Sequence, residues 1–318
     1  MTDLRVSVVV PAYNEGVCAT DLLDKLFKNA IRQPDEVVVV DANSSDDTLA
    51  LIKHWTEANK AYNVKIVELK TQAYPGRARN EGVKVSTCDY IAFIDCGLHP
   101  EDDWLLKLIE PFEQGDNVDV VWGKSLSLAQ TPWEQAFAAL VESCVDKDRK
   151  VVRSSCIKKS VFEQIGGFRE DLRAAEDLLY IQTLAKEECK EAFVDAKAWY
   201  SGYPANLVEA FRKWSLYTVH TVNAGLHIRK MVLMVTELAL YCAALVFGYL
   251  FLGLLGALGF LALATLSRTI AGIKRNSRKV FSFKEGLYAW GISVFIDMGR
   301  LHGMVKGLLA KKNNDKEV

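Results

Sequence analysis

Two runs of β-branched residues, VSVVV at 6–10 and EVVVV at 36–40, constrain this chain more than any other feature. Neither alternates apolar with polar residues, so each must be buried on both faces, as a strand inside a parallel sheet is. A parallel pair needs a crossover, and residues 17–32 supply one, with Leu22, Leu23, Leu26, Phe27 and Ala30 at helical spacing. VKIVEL (64–69) and YIAFID (90–95) continue the strands, and residues 46–59 and 77–86 continue the helices. The order βαβαβαβ predicts an α/β, doubly wound, mostly parallel sheet whose ligand site lies beyond the carboxyl ends of its strands. Those ends carry PAYNEG, DANSSDDT and DCGLHP, so three polar motifs are expected on one edge.

Several function classes are disfavoured early. Lys and Arg (39) balance Asp and Glu (40), so no global polyanion-binding surface is implied and no nucleic-acid partner is expected. The seven cysteines form no CxxC pair, which argues against a zinc site or disulfide framework and suits a reducing compartment. No GxGxxG follows the first strand and no GxxxxGK[ST] occurs, against a dinucleotide dehydrogenase or a P-loop NTPase. The amino terminus reads as a first strand rather than a signal peptide.

The carboxyl third obeys a different rule. Residues 231–266 carry a single charge, Glu237. As one helix this stretch would run about 54 Å, against a hydrocarbon core of about 30 Å. Two short spans meeting near Gly248 are therefore expected. The next stretch, 268–284, holds Arg268, Lys274, Arg275, Arg278, Lys279 and Lys284 without an acid before the last of them, which assigns it to the cytoplasm. A hairpin returns the chain to its starting side, so the amino-terminal domain is expected there too. Residues 286–310 mix Trp290, Phe295 and Ile296 with Asp297, Arg300 and Lys306, an interfacial helix with a third span as the alternative. The expected division is 1–225 as a catalytic domain, 226–310 as membrane-anchoring helices, and 311–318 as a polar tail.

VSVVVPAYNEG, VVVVDANSSDDT, GRARNEGVKVSTCDYIAFIDC and AAEDLLY occur in an order that resembles glycosyltransferase family 2 over roughly residues 4–215. The resemblance implies a GT-A-type sheet, a nucleotide-sugar donor and inversion at the anomeric carbon. It implies that the turn holding Pro11, Tyr13 and Glu15 borders the nucleotide, with an acidic group near base and ribose. Asp41 is then an acceptor for the uracil imide, while Ser45 and Asp46 read as caps of the next helix. Arg77, Arg79 and Asn80 open a helix where cationic forks can bind a base carbonyl or a diphosphate oxygen. In related enzymes the second acid of the Glu-Asp pair is the general base, which makes Asp177 the catalytic candidate beside Glu176. A Gln-x-x-Arg-Trp box of processive members is replaced by AFRKW at 210–214, which favours transfer of a single sugar.

The family pattern places Asp-x-Asp where this chain has Asp95, Cys96 and Gly97. The second aspartate of that pattern binds a divalent metal, Mn or Mg, on the diphosphate, and Gly97 has no side chain to do so. Three arrangements stay open. Asp95 holds a metal with His99 or with an acid of Glu101-Asp102-Asp103; or basic residues such as Arg77, Arg79, Arg212 or Lys213 neutralise the diphosphate; or the site is inactive. The expected protein is a membrane-attached transferase using a lipid-linked or membrane-proximal acceptor and touching the lipid bilayer. A polyprenyl-phosphate glycosyltransferase and a non-catalytic nucleotide-sugar-binding scaffold are the alternatives.

Overall fold

The computed structural model describes residues 4–115, 117–141, 149–226, 228–275 and 282–314. Two compact units emerge, Met1–Leu128 with Val145–Gly202, and Ala129–Cys144 with Tyr203–Val318. The division departs from a single boundary at 225. Within the second unit, Ala136 and Phe137 of the inserted segment and Ala210 of 203–225 share an apolar cluster with Ala289, Ile292 and Ile296 of the carboxyl-terminal helices. Arg278, Lys279 and residues 315–318 lie outside the described residues.

The first unit is one eight-stranded sheet with helices on both faces. Its elements are β1 (Val6–Ala12), α1 (Val17–Asp24), β2 (Glu36–Asp41), α2 (Thr48–Ala58), β3 (Val64–Glu68), α3 (Pro75–Val85), β4 (Tyr90–Ile94), β5 (Leu98–Pro100) and α4 (Trp104–Glu113). After these come β6 (Val120–Ser127), β7 (Ser154–Lys158), α6 (Lys159–Ile165), α7 (Glu176–Lys186) and β8 (Glu191–Tyr200), with α5 (Pro132–Val141) inserted between β6 and β7. Strand order is β3-β2-β1-β4-β7-β6-β8-β5. The first four run parallel, as the β-branched runs predict. Beyond β4 the sheet is mixed: β7 lies antiparallel to β4 and β6, β8 parallel to β6, and β5 antiparallel to β8. Burial on both faces is the same for either strand direction, so apolar composition does not reveal that change.

The double burial is visible residue by residue. Val6, Val8 and Val10 of β1 join Val37 and Val39 of β2 in a core with Leu22, Phe27, Ile52, Trp104 and Leu108. Val9, Val38 and Val40 face the opposite way, into a core with Ala78, Val83, Phe162, Tyr180 and Leu184. One acid is buried between strands. Glu36 accepts from Ser7 Oγ at 2.7 Å and from Thr87 N–H at 2.9 Å, with Lys65 as its ion partner. Burial works against its charge, but those donors hold its carboxyl below the usual value of 4.5.

The second unit is helical: α5, α8 (Leu207–Asn223), α9 (Ile228–Arg275) and α10 (Phe283–Asn314). Helix α9 is broken at Gly253, whose φ of 67° is in the left-handed region and whose ψ is −163°. A Cβ on Gly248 would lie 2.8 Å from Ala257 Cα, so the two arms fold back to backbone contact. The expected hairpin is therefore present, turning at Gly253 rather than at Gly248, which instead marks the close approach. Each arm is roughly 35 Å long at about 1.5 Å per residue. By length and composition one helical stretch, Tyr241–Lys274, is apolar enough to cross a membrane. Its side chains face outward, with Leu255 84% and Leu250 72% exposed.

Helix α10 covers the interfacial segment expected at 286–310. Its apolar face is occupied by protein, since Ala289, Ile292 and Ile296 pack with Ala136, Phe137 and Ala210. Gly299, Gly303 and Gly307 line the side against α8. Built Cβ atoms on the first two would stand 2.4 Å from Phe211 O and 2.2 Å from Ser215 O. Only glycine permits such an approach of two helix backbones. Arg268 of α9 makes a two-pronged pair with Asp297 of α10, which Arg300 also reaches.

Candidate active site

Three loops meet at the carboxyl ends of β1, β2 and β4. β1 and β2 place Ala12 opposite Asp41, so their two loops leave the sheet side by side. Side chains then stitch them together. Thr48 Oγ1 accepts from the N–H groups of Glu15 and Gly16, both at 2.8 Å, and Asn14 Oδ1 accepts from Ser45 N–H at 2.8 Å. Asp46 accepts from the Thr48 hydroxyl at 2.6 Å and from its N–H at 3.1 Å. Asp46 thus holds Thr48 at the start of α2 from the position before the N-cap, which is Asp47 rather than Ser45 or Asp46, and Asn14 clamps the neighbouring loop.

Asp41 is buried, 2% exposed, at the end of β2. Its Oδ2 accepts from Ser44 N–H at 3.1 Å, while Oδ1 is buried without a hydrogen-bond partner among the described residues. A buried carboxylate oxygen without a donor is costly, so it suits an N–H brought by a ligand. Pro11 is half-buried and Tyr13 exposed on the adjoining turn.

Arg79 organises the other half of the site. It is 4% exposed and donates through Nη2 to Asp95 Oδ1 at 2.6 Å and through Nη1 to Glu176 Oε1 at 3.0 Å. The guanidinium also lies 5.4 Å from the centroid of the Phe168 ring, which packs on Tyr180. The fork therefore joins the end of β4 to the start of α7. Burial opposes its charge, but the two carboxylates raise its pKa above the ordinary arginine value. Burial pushes the Glu176 carboxyl up, Arg79 pulls it down, and the adjacent Asp177 pushes it up again. Asp177 is half-buried, and its Oδ1 accepts from the N–H of Leu178 at 2.8 Å.

Glu15 faces this half as well. The place a Gly97 Cβ would occupy is 3.8 Å from Glu15 Oε2. Burial pushes the Glu15 carboxyl up, the negative charges of Asp95 and Asp46 push it further, and Arg173 pulls against them. Arg173 belongs to the residues that sequence reasoning passed over. It sits in the loop before α7, and only the tertiary fold brings its charge to bear on Glu15.

Other expected contacts lie elsewhere. Asn80 spends both ends of its amide on the loop after α6: Nδ2 donates to Phe168 O and Glu170, each at 2.9 Å, and Oδ1 accepts from Phe168 N–H at 2.9 Å. Its amide clamps that loop against α3. Arg77 reaches Thr71 at 3.2 Å. His99 stands in β5 opposite Trp199. Glu101 accepts from the Trp199 indole at 3.1 Å and Asp103 pairs with Lys107 at 2.7 Å, so these acids serve local structure. Among the described residues no group of three His, Cys, Asp or Glu side chains is arranged to hold a metal. His99 and the acids at 101–103 are thus not gathered round Asp95 into such a group. Arg212 and Lys213 lie on α8, in the helical unit.

The family model for glycosyl transferase family 2 matches residues 7–169, half of the chain, over the strands and loops just described. The chain belongs to glycosyl transferase family 2. TarS of Staphylococcus aureus, a poly(ribitol-phosphate) β-N-acetylglucosaminyltransferase, is 27% identical over 213 residues, covering 62% of this chain and 35% of TarS. A dolichyl N-acetyl-α-D-glucosaminyl phosphate diacetamido-dideoxy-glucuronosyltransferase of Methanococcus voltae is 30% identical over 112 residues, 34% of each chain. The chain thus spans about a third of the length of these two relatives. A mannosyltransferase from Pyrobaculum calidifontis, solved with GDP-Man and Mn2+, shares the fold with a TM-score of 0.59 at 19% identity, covering 96% of this chain and 88% of that one. TarS residues 1–349, solved with UDP-GlcNAc, give a TM-score of 0.50 at 20% identity, covering 94% and 90%.

Proposed function

We propose that this chain is an inverting glycosyltransferase that moves a sugar from a nucleotide-sugar, UDP-linked, to a hydroxyl of a lipid-linked or membrane-proximal acceptor in envelope glycan synthesis. The observation that carries the reading is the buried Arg79 fork, which draws Asp95 and Glu176 together in a family 2 chain and leaves Asp177 beside them. The unpartnered Oδ1 of Asp41 supports a uracil base, whose imide N–H it would accept. TarS, a relative, binds UDP-GlcNAc, and the Methanococcus relative acts on a dolichyl-linked sugar.

In this reading the acceptor oxygen attacks C1 of the sugar from the face opposite the leaving nucleotide. Asp177 takes the hydroxyl proton as the new C–O bond forms and the bond from C1 to the phosphate oxygen breaks. Glu176, through Arg79, keeps Asp95 fixed on the diphosphate side. Pro11 and Tyr13 border the nucleotide. The exposed apolar hairpin of α9 anchors the protein in the bilayer, with the sheet unit on the cytoplasmic face.

The purified chain is given UDP- and GDP-sugars with a lipid extract as acceptor, with Mn2+, Mg2+ or EDTA. Transfer from a UDP-sugar is expected, and Asp177→Asn lowers it by about 10²–10⁴-fold with folding intact. Full transfer by Asp177→Asn with every acceptor sinks the base assignment and indicates a phosphate acceptor, which is already ionised. Nucleotide-sugar binding without turnover under every metal condition indicates a scaffold instead.

A further inference from the structure

We propose that Glu15 supplies the carboxylate that Gly97 lacks, so that Glu15 and Asp95 together hold a divalent cation against the donor diphosphate. This rests on the nucleotide-sugar reading above and assigns Glu15 to the phosphate side of the donor rather than to its base and ribose.

The backbone explains why the carboxylate comes from elsewhere. Gly97 has φ +79°, in the left-handed region. An ordinary L-residue there costs on the order of 1–2 kcal/mol, a penalty that aspartate escapes only in part, so the turn after β4 favours glycine. The space its side chain would enter is open, and the nearest heavy atom to a built Cβ is Glu15 Oε2 at 3.8 Å. A carboxylate therefore stands beside the place the family pattern fills from position 97, delivered by the loop after β1. That loop is held firmly: Thr48 fixes the Glu15 and Gly16 N–H groups, and Asn14 is tied to Ser45. Asp95 is oriented by its bond from Arg79 to Oδ1, which leaves Oδ2 for another partner.

The donor set suits one kind of cation. Two carboxylates alone cannot form a closed site, and among the described residues no third His, Cys, Asp or Glu side chain joins them in a metal-holding group. Magnesium-like ions are commonly held by one or two carboxylates, with waters and substrate phosphates completing the shell. Such an ion neutralises charge developing on the departing diphosphate. The cation and the nucleotide are then expected to bind together, each tightening the other.

The test measures UDP binding to the full chain by titration calorimetry, in EDTA and in Mn2+. Mn2+ is expected to tighten UDP binding to the wild type. Glu15→Gln is expected to lose about tenfold or more of that gain, a larger change than any it makes to UDP affinity in EDTA. Gly97→Asp added to Glu15→Gln, which returns a carboxylate to the neighbouring position, is expected to recover part of the gain. Melting curves of both variants check that the chain is folded. Glu15→Gln with the whole Mn2+ gain intact overturns the proposal, as does a wild type that binds UDP equally well with and without Mn2+. An equal loss in EDTA and in Mn2+ also overturns it, by assigning Glu15 to the nucleotide itself. A wild type that binds neither UDP nor GDP under any condition removes the donor reading instead, and this proposal with it.

Discussion

The sheet unit and the helical unit bury opposite things. In the sheet unit the interior holds charge at chosen points: Arg79 between Asp95 and Glu176, and Glu36 among Ser7, Thr87 and Lys65. Its apolar side chains are enclosed on both faces. In the helical unit the closest contact, α8 on α10, is made by absent side chains, and large apolar groups such as Leu255 and Leu250 point outward. The first unit is stabilised by removing oil from water. The second joins its own apolar cluster to a backbone-on-backbone seam along the α10 glycines. The fixed ion pairs lie in the first, and the outward apolar surface lies in the second.

Substitutions that exchange these habits should be costly in order of what they strand. Arg79→Met leaves Glu176 buried without its cation, and a loss of about 3–5 kcal/mol is expected by denaturant titration. Adding Glu176→Gln should recover part of it. In the helical unit, Gly303→Leu drives a side chain into the Ser215 carbonyl, so about 3 kcal/mol should be lost in a melt of the detergent-solubilised chain. Gly291→Ala is the contrast on the same helix. Its built Cβ meets nothing closer than Leu207 at 3.9 Å, and better helix propensity should raise stability slightly. If both glycines respond alike, α10 does not pack on α8 through the stripe.

The outward oil can be tested directly. Leu263→Asp puts a charge on the exposed second arm of α9, at a cost of about 2.5–3.5 kcal/mol if that arm lies in hydrocarbon. Liposome flotation should show a smaller bound fraction. Unchanged flotation would remove the hairpin from the bilayer. A smaller loss belongs to Glu36→Gln, about 1–2 kcal/mol. The folded-state Glu36 carboxyl sits below its usual 4.5, so its contribution is fully present above that value. It is lost as pH falls through the folded-state value. The stability gap between wild type and Glu36→Gln, followed by melts across acid pH, should therefore close on the acid side of 4.5. A gap that widens there would mean the carboxyl is not held charged by its donors.

Much of the sheet was legible because its signals are local. VSVVV and EVVVV announce two-sided burial over a few residues, and the structure divides their side chains between two cores. The loops carrying PAYNEG and DANSSDDT were legible as neighbours because parallel strands bring their carboxyl ends to one edge. The hairpin was legible from length alone, since a single helix would outrun a bilayer. The bonds of Asn80 to Phe168 and Glu170 were not legible, because a polar residue beside Arg79 looks the same whatever loop it meets.

The sequence by itself determined the parallel half of the sheet, the apolar hairpin and the family 2 motifs, because periodicity, β-branching and motif order are written within short windows. Tertiary structure alone decided the antiparallel half, since strand direction depends on which strands meet and not on their composition. It alone joined Arg79 to Glu176, 97 residues away, and seated Glu15 beside Gly97. It alone also gave Gly299, Gly303 and Gly307 a partner in α8. Each of these contacts spans distant parts of the chain, so its geometry exists only once the intervening elements have packed.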